Sequence, residues 1–173
     1  MGQLYRMVVM CCVAFQLASC AGMAPIESQS RQRDARLARL YFLREKAIIG
    51  AMGGTAAAAE IKVDGKVVGS VTNGSYFFVD RPPGSYKLSV KNAMSLAAFD
   101  TDVQVEAGRE YYFNIGSPMS GAIGTDFAVH SLSGGKGEQM RPESPLSVGF
   151  SGAAFFSLDP ATGAAEIERL KAP

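Results

Sequence analysis

Residues 61–90 read IKVDGKVVGSVTNGSYFFVDRPPGSYKLSV, and this stretch decides the fold. Ile61-Lys62-Val63 alternates apolar with polar and runs into Asp64-Gly65, a pair suited to a hairpin turn whose two central residues need φ > 0. Residues 66–71 (KVVGSV) make the return strand. Asn73-Gly74 is a second pair of the same kind, and residues 75–79 (SYFFV) are rich in aromatic and β-branched side chains, as strands are. Arg81-Pro82-Pro83-Gly84 cannot continue a ladder, because proline has no N–H to donate, so it is read as a turn. Residues 85–91 (SYKLSVK) set Tyr86, Leu88 and Val90 against polar neighbours, the period of two of a half-buried strand.

The same signals extend outward. Residues 37–43 (LARLYFL) are apolar with one interruption, and residues 55–63 (TAAAAEIKV) lead into the first hairpin. Residues 99–105 alternate through Val103 and Val105, Ala107-Gly108 turns the chain, and residues 110–115 (EYYFNI) form another strand. Residues 116–150 are rich in Gly, Ser and Pro and read as a long loop, with a short strand at 127–132. Residues 153–158 (AAFFSL) are the last strand. Asp159-Pro160 then supplies an N-cap followed by proline at the first helical position, predicting a helix over 161–171 that Gly163 weakens. Strands spaced near ten residues apart, with turns between them and no intervening helices, predict a mainly β fold. The expected architecture is an antiparallel β-sandwich of about seven short strands with a short C-terminal helix.

Composition sets the bounds. The chain has 173 residues, 47% hydrophobic and 19% charged, enough for one domain with an apolar core. It carries 17 Lys+Arg against 16 Asp+Glu. That balance gives no electrostatic footprint for nucleic acid and no polybasic membrane patch. The three cysteines, Cys11, Cys12 and Cys20, all lie ahead of the strands, so no disulfide or thiolate metal site is expected in the domain.

The first twenty residues have their own logic. MGQLYR carries one basic side chain, Arg6, and the run MVVMCCVAF (7–15) is nine residues, too short for a bilayer that needs about 20. Leu17-Ala18-Ser19-Cys20 follows at once, with the form of a bacterial lipobox. Leu17 fills an apolar subsite, Ala18 and Ser19 let the signal peptidase approach, and the Cys20 thiol takes the lipid. The expected organisation is a cleaved signal peptide over 1–19, a lipidated Cys20 with a flexible tether over 20–36, and the sandwich over 37–173. Three alternatives stand beside it: a cut after Ala21 giving a soluble product, N-myristoylation, which Arg6 disfavours, and a buried N-terminal helix. For the tether, the alternative is a helix over roughly 27–39.

Residues 61–90 resemble the core of a family of bacterial lipoprotein domains of unknown function. Its shared pattern is a V-D-G-K-x-x-G hairpin, an N-G-S-Y-F strand and a P-P-G-x-Y/H turn. AGREYYF (107–113) is similar to that family's G-K-x-Y-Y strand, and AAEIERLK (164–171) to its C-terminal end. The likeness covers roughly residues 40–170, with 117–150 matching poorly. Similar hairpins occur in sandwiches of the PEGA or transthyretin-like type. The resemblance implies a lipid-anchored sandwich and supplies no activity.

Each candidate for chemistry competes with a plainer reading. His130 is the only histidine, with Asp126, Ser131 and Ser133 near it in sequence, and a hydrolase would have to use it. No Gly-x-Ser-x-Gly elbow is present, and a loop histidine is the preferred reading. Asp100 and Asp102, with Asp126, lack the spacing of a calcium loop and read as solvated charges. Asn73-Gly74-Ser75 fits a glycosylation triplet but reads as a turn. The glycine-rich pieces 48–54 and 133–137 lack the frame of a phosphate loop. Tyr76, Phe77, Phe78, Tyr111, Tyr112 and Phe113 are consecutive aromatics, so about half face the core and the rest could stack on sugars.

The expectation is a non-enzymatic envelope protein without metal or cofactor, anchored to the membrane through Cys20, binding another envelope protein or a cell-wall component and no nucleic acid. Ala21 stands where an aspartate would signal retention at the inner membrane, so the outer membrane, periplasmic side, is the expected location. The alternatives are a lipid-anchored hydrolase using His130 and a glycan or small-ligand binder on exposed aromatics.

Overall fold

A computed structural model describes residues 27, 29–30, 32–46, 58–93, 95–119, 135–145 and 150–170. In chain order the elements are β1 (Ala38–Arg44), β2 (Ala59–Val63), β3 (Lys66–Val71), β4 (Ser75–Arg81), β5 (Gly84–Asn92), β6 (Phe99–Val105), β7 (Glu110–Gly116), β8 (Glu138–Gln139), β9 (Ala154–Leu158) and the helix α1 (Pro160–Arg169). The strands form two sheets, a five-stranded one in the order β4-β1-β7-β9-β8 and a four-stranded one in the order β3-β2-β5-β6. The fold is a β-sandwich with a short C-terminal helix, as the alternation predicts.

Its core comes from the facing sides of the two sheets. Leu40, Phe42, Phe77, Val79, Phe113, Ile115 and Phe155 of the larger sheet meet Ile61, Val63, Val71, Leu88, Val90 and Phe99 of the smaller one. A Cβ on Gly69 would stand 2.8 Å from the Phe77 ring, so the missing side chain on β3 is the space that ring occupies.

Several expectations change in detail. The described residues hold nine strands, β8 being a two-residue piece that sequence reading passes over. One pair is parallel: β1 runs alongside β7, with Tyr41 opposite Tyr112 and Phe42 opposite Phe113. No short turn joins these distant segments, so nothing forces them antiparallel. β1 is thereby central and buried on both faces, which is why LARLYFL reads as an almost unbroken apolar run. The strand expected over 55–63 begins at Ala59, and the piece expected at 127–132 lies outside the described residues.

Of the three expected turns, one is a hairpin. Asp64 (φ 48°) and Gly65 (φ 75°) both take positive φ, as a type I′ turn between β2 and β3 demands. Asn73-Gly74 joins β3 to β4, which lie in different sheets; only Gly74 has positive φ, and the Ser75 N–H donates to Thr72 C=O at 3.1 Å. Pro82-Pro83 likewise carries the chain from β4 to β5 across the sandwich, and Gly84 opens β5 with near-extended backbone. Prolines leave a sheet easily because they have no donor to abandon.

The strand directions give the sandwich two unlike ends. Short links at 64–65, 82–83 and 106–109 lie at one, hereafter the turn end. The longer links β1–β2 and β5–β6, with the three-residue link 72–74, the exit of β7 and the entry to β9, lie at the other, the loop end.

Candidate binding face

Alternation along β1 puts Ala38, Leu40 and Phe42 inside the sandwich and Arg39, Tyr41 and Leu43 on the outer face of the five-stranded sheet. Register carries this alternation across the sheet as three rungs. Nearest the turn end, Arg39 lies between Asp80 of β4 and Glu110 of β7. The next rung is Phe78, Tyr41, Tyr112 and Leu158, and the third is Tyr76, Leu43, Asn114 and Phe156.

The aromatic rung is tightly ordered. Tyr41 stacks on Tyr112 with centroids 4.9 Å apart and ring planes 2° from parallel, and it tilts against Phe78 at 5.6 Å and Tyr76 at 6.4 Å. Phe78 and Tyr112 are buried; Tyr41 and Tyr76 are half-buried. α1 covers the Tyr112 side: a Cβ on Gly163 would collide with that ring. Burial pushes the Tyr112 phenol well above its ordinary pKa, and its hydrogen bond to Glu110 Oε2 at 2.9 Å pushes it further. Burial raises Tyr41 as well.

The charged rung turns on Arg39, which is only 4% exposed. Its guanidinium grips Asp80 through two bonds, Nε to Oδ1 at 2.7 Å and Nη2 to Oδ2 at 2.8 Å, and lies 3.9 Å from the Phe78 ring centroid. The Asp80 bond holds the guanidinium pKa above its usual value. Nη2 also donates to the carbonyls of Ser30 and Gln32, at 3.1 and 3.2 Å.

Those carbonyls belong to a segment that sequence reading assigns to the flexible tether. The described residues between 27 and 36 are instead laid over the outer face as a strap. Arg81 Nη2 meets Glu27 Oε1 at 2.6 Å. The Gln29 amide pairs with the open edge of β4, accepting from the Phe78 N–H and donating to its carbonyl, both at 2.9 Å. Arg33 bridges to Glu110 at 3.2 Å and donates to Gly108 C=O at 3.0 Å. Asp34 and Arg36 close the turn into β1, and their bonds lower the Asp34 carboxyl to about 2. The physical reason is the unpaired edge of β4 and the buried guanidinium of Arg39, both of which need partners. A helix over 27–39 is likewise not formed.

At the loop end of the same face, Glu45 and Glu166 are both buried and share Lys136, whose Nζ lies 2.6 Å from Glu166 Oε1 and 3.5 Å from Glu45 Oε2. Asn114 Nδ2 donates to Glu45 at 3.3 Å, and Arg169 reaches Glu166 at 3.2 Å. Burial raises the Glu45 carboxyl, and the bond to Glu166 raises the Lys136 ammonium.

The family described as "Protein of unknown function (DUF2846)" matches residues 34–126, more than half of the chain. The chain belongs to this family. No curated protein matches it. The DUF2846 stretch spans β1 to β7, so β8, β9, α1 and most of the strap lie outside the matched segment.

Within this DUF2846 protein the sequence-predicted residues separate clearly. Phe77 and Phe113 point into the core, with Tyr111 packed against it, whereas Tyr76, Phe78 and Tyr112 share the outer face. Asp100 and Asp102 sit on β6 opposite Ser89 and Lys87, and among the described residues no three His, Cys, Asp or Glu side chains are grouped to hold a metal ion. Leu17, Ala18, Ser19, Cys20, Asp126, His130, Ser131 and Ser133 lie outside the described residues, as do residues 48–54. No helix among the described residues is long and apolar enough to cross a membrane. Tyr41, Arg39, Gln29 and Glu27 were not singled out from sequence. The signal for Arg39 was available: it is the one interruption in the apolar run of a strand that proves central.

Proposed function

We propose that this DUF2846 protein is a lipid-anchored bacterial envelope protein that works by binding rather than by catalysis. Cys20 carries the lipid, and the outer face of the five-stranded sheet is the contact surface, used for another envelope protein or a cell-wall component. The observation that carries the reading is the strap. The chain that follows the Leu17-Ala18-Ser19-Cys20 lipobox is fastened across that face by Glu27–Arg81, Gln29–Phe78 and Arg39. A domain held by its N-terminus benefits from such fastening, which passes a pull on the anchor into the sheet.

The polar groups of the face support binding over catalysis. Arg39, Asp80, Glu110 and Tyr112 are engaged with partners on the sheet or the strap, so the face offers stacking and shape through Tyr41 and Tyr76. Ala21 after Cys20, where an aspartate would signal retention at the inner membrane, supports an outer-membrane location with the domain on the periplasmic side. The test is metabolic labelling with a palmitate analogue and density-gradient fractionation. The wild type is labelled and migrates with outer-membrane markers, and Cys20→Ala loses the label. Retained label in Cys20→Ala overturns the anchor, and inner-membrane migration overturns the location.

A further inference from the structure

A short run of chain closes the sandwich at β6, an edge strand of the four-stranded sheet. After β8 the chain leaves the five-stranded sheet and crosses to that edge. The Met140 N–H donates to Phe155 C=O at 2.9 Å, the Thr101 hydroxyl to Arg141 C=O at 2.8 Å, and the Glu143 N–H to Asp100 C=O at 2.8 Å. The Glu143 carboxylate then reaches past β6 to the Lys87 ammonium on β5. Beside this run lies an open notch of about 430 Å³, lined by Thr101 and Asp102 of β6 and by residues 140–143. Thr101 is buried and Met140 packs against the core, so the floor of the notch is fixed by the fold. The family match ends at residue 126, so β6 supplies one wall from within it and residues 140–143 supply the other from beyond it.

Two opposite charges line the notch without meeting. Among the described residues neither the Asp102 carboxylate nor the Arg141 guanidinium makes an ion pair or a side-chain hydrogen bond, with each other or with anything else. Lys87 stands opposite Asp102 on the ladder and softens its charge, but its ammonium is taken by Glu143. The main chain at Asp102 is open as well. Asp100 turns its C=O outward to Glu143, strand groups alternate, and so the N–H and C=O of Asp102 also face the open edge, where no described residue pairs with them. A carboxylate and a carbonyl suit an ammonium, and a guanidinium suits a carboxylate. Met140 and Pro142 add apolar surface between the two.

We propose that this notch binds a zwitterion, a free α-amino acid or a short peptide, with its ammonium on Asp102 and its carboxylate on Arg141. An apolar side chain of the ligand rests on Met140 and Pro142. The charges of such a ligand cancel, and so do those of the two residues that hold it, so recognition lies in the placement of charge and not in its sum. Both contacts are exposed to water, so binding is weak and falls with salt. The site lies on the four-stranded sheet and depends neither on the lipid anchor nor on the outer face of the other sheet.

The experiment titrates the full-length protein in detergent micelles with leucine and, separately, with the dipeptide alanyl-leucine, following backbone amide shifts by NMR. Saturable shifts are expected at Thr101, Asp102, Arg141 and Glu143, and the tighter of the two probes tells a free amino acid from a peptide as the source. Acetylating the amine or amidating the carboxylate of the tighter probe should each weaken binding about fivefold, the scale of one exposed ion pair. In Asp102→Asn acetylation costs nothing further while amidation keeps its cost, and in Arg141→Gln the reverse holds. Both changes lie on exposed side chains and leave the sandwich folded. Absence of saturable shifts with either probe overturns the site, as does a blocked probe that binds as well as the zwitterion. Variants that lose sensitivity to both blocking groups alike overturn the assignment of ammonium to Asp102 and carboxylate to Arg141.

Discussion

The five-stranded sheet has two faces built from the same strands by opposite means. Its inner face presents Leu40, Phe42, Phe77, Val79, Phe113 and Phe155, apolar throughout and closed by the other sheet. Its outer face presents a charged rung, an aromatic rung and a mixed rung, covered in part by a strap and a helix. Apolar burial is non-directional, so the inner face holds the fold together without specifying any one contact. Hydrogen bonds and ion pairs are directional, so the outer face decides how the N-terminal segment lies. Damage to one face should lower stability, and damage to the other should loosen attachments while the sandwich stays folded.

The largest effect is expected inside. Phe42 contacts the rings of Phe77, Phe113 and Phe155, and Phe42→Ala should cost about 3–5 kcal/mol, read as a lower urea midpoint. An unchanged midpoint would remove the contrast between the faces. Next is Arg39→Ala, which gives up a two-bond ion pair, a cation–π contact and two carbonyl partners. A cost of about 2–3 kcal/mol is expected, with faster proteolysis of the chain ahead of residue 37. Uniform proteolysis across the chain would show Arg39 to be a core residue instead. Asp159→Ala removes the oxygen that accepts from Ala161 N and Thr162 N, and should cost about 1 kcal/mol with reduced protection of α1 in hydrogen exchange.

The smallest effect is one of pH. Burial raises the Glu45 carboxyl above its unfolded value, so the folded chain takes up this proton more readily than the unfolded chain. Stability from this group therefore falls as pH rises through the usual carboxylate range toward neutrality. Glu45→Gln should match or exceed the wild type at neutral pH and lose that advantage in mild acid. Parallel stability curves for the two proteins would argue that Lys136 and Asn114 compensate the buried charge fully.

The inner face was legible in the sequence, and the outer face largely was not. Period-two alternation in residues 61–63, 85–91 and 99–105, with Asp64-Gly65 between β2 and β3, reports burial and local turns, which are properties of neighbouring residues. Residues 66–71 and 99–105 match β3 and β6 residue for residue. What decides the outer face is long-range: the parallel pairing of β1 with β7, the reach of Arg39 back to Ser30 and Gln32, and the amide of Gln29 at the edge of β4. Asn73-Gly74 and Pro82-Pro83 read correctly as turns but not as passages between sheets, because turn chemistry fixes a bend and not which sheet receives the next strand. A polar, aperiodic stretch such as 21–36 looks like a tether whenever its partners are distant. The docked part of it is visible only once Arg81, Phe78 and Glu110 are in place.

The position of β1 bears on how the chain acquires its fold. The first strand among the described residues is an interior one, flanked by β4 and β7, yet β4 begins roughly thirty residues after it and β7 roughly sixty-five. A chain produced N-terminus first exposes ARLYFLR with both hydrogen-bonding edges open until those partners arrive. Distant pairings form slowly because loop closure precedes any gain from contact. The interval before β7 emerges is therefore when this protein is most open to joining another copy of itself, and a holding chaperone has its natural target there.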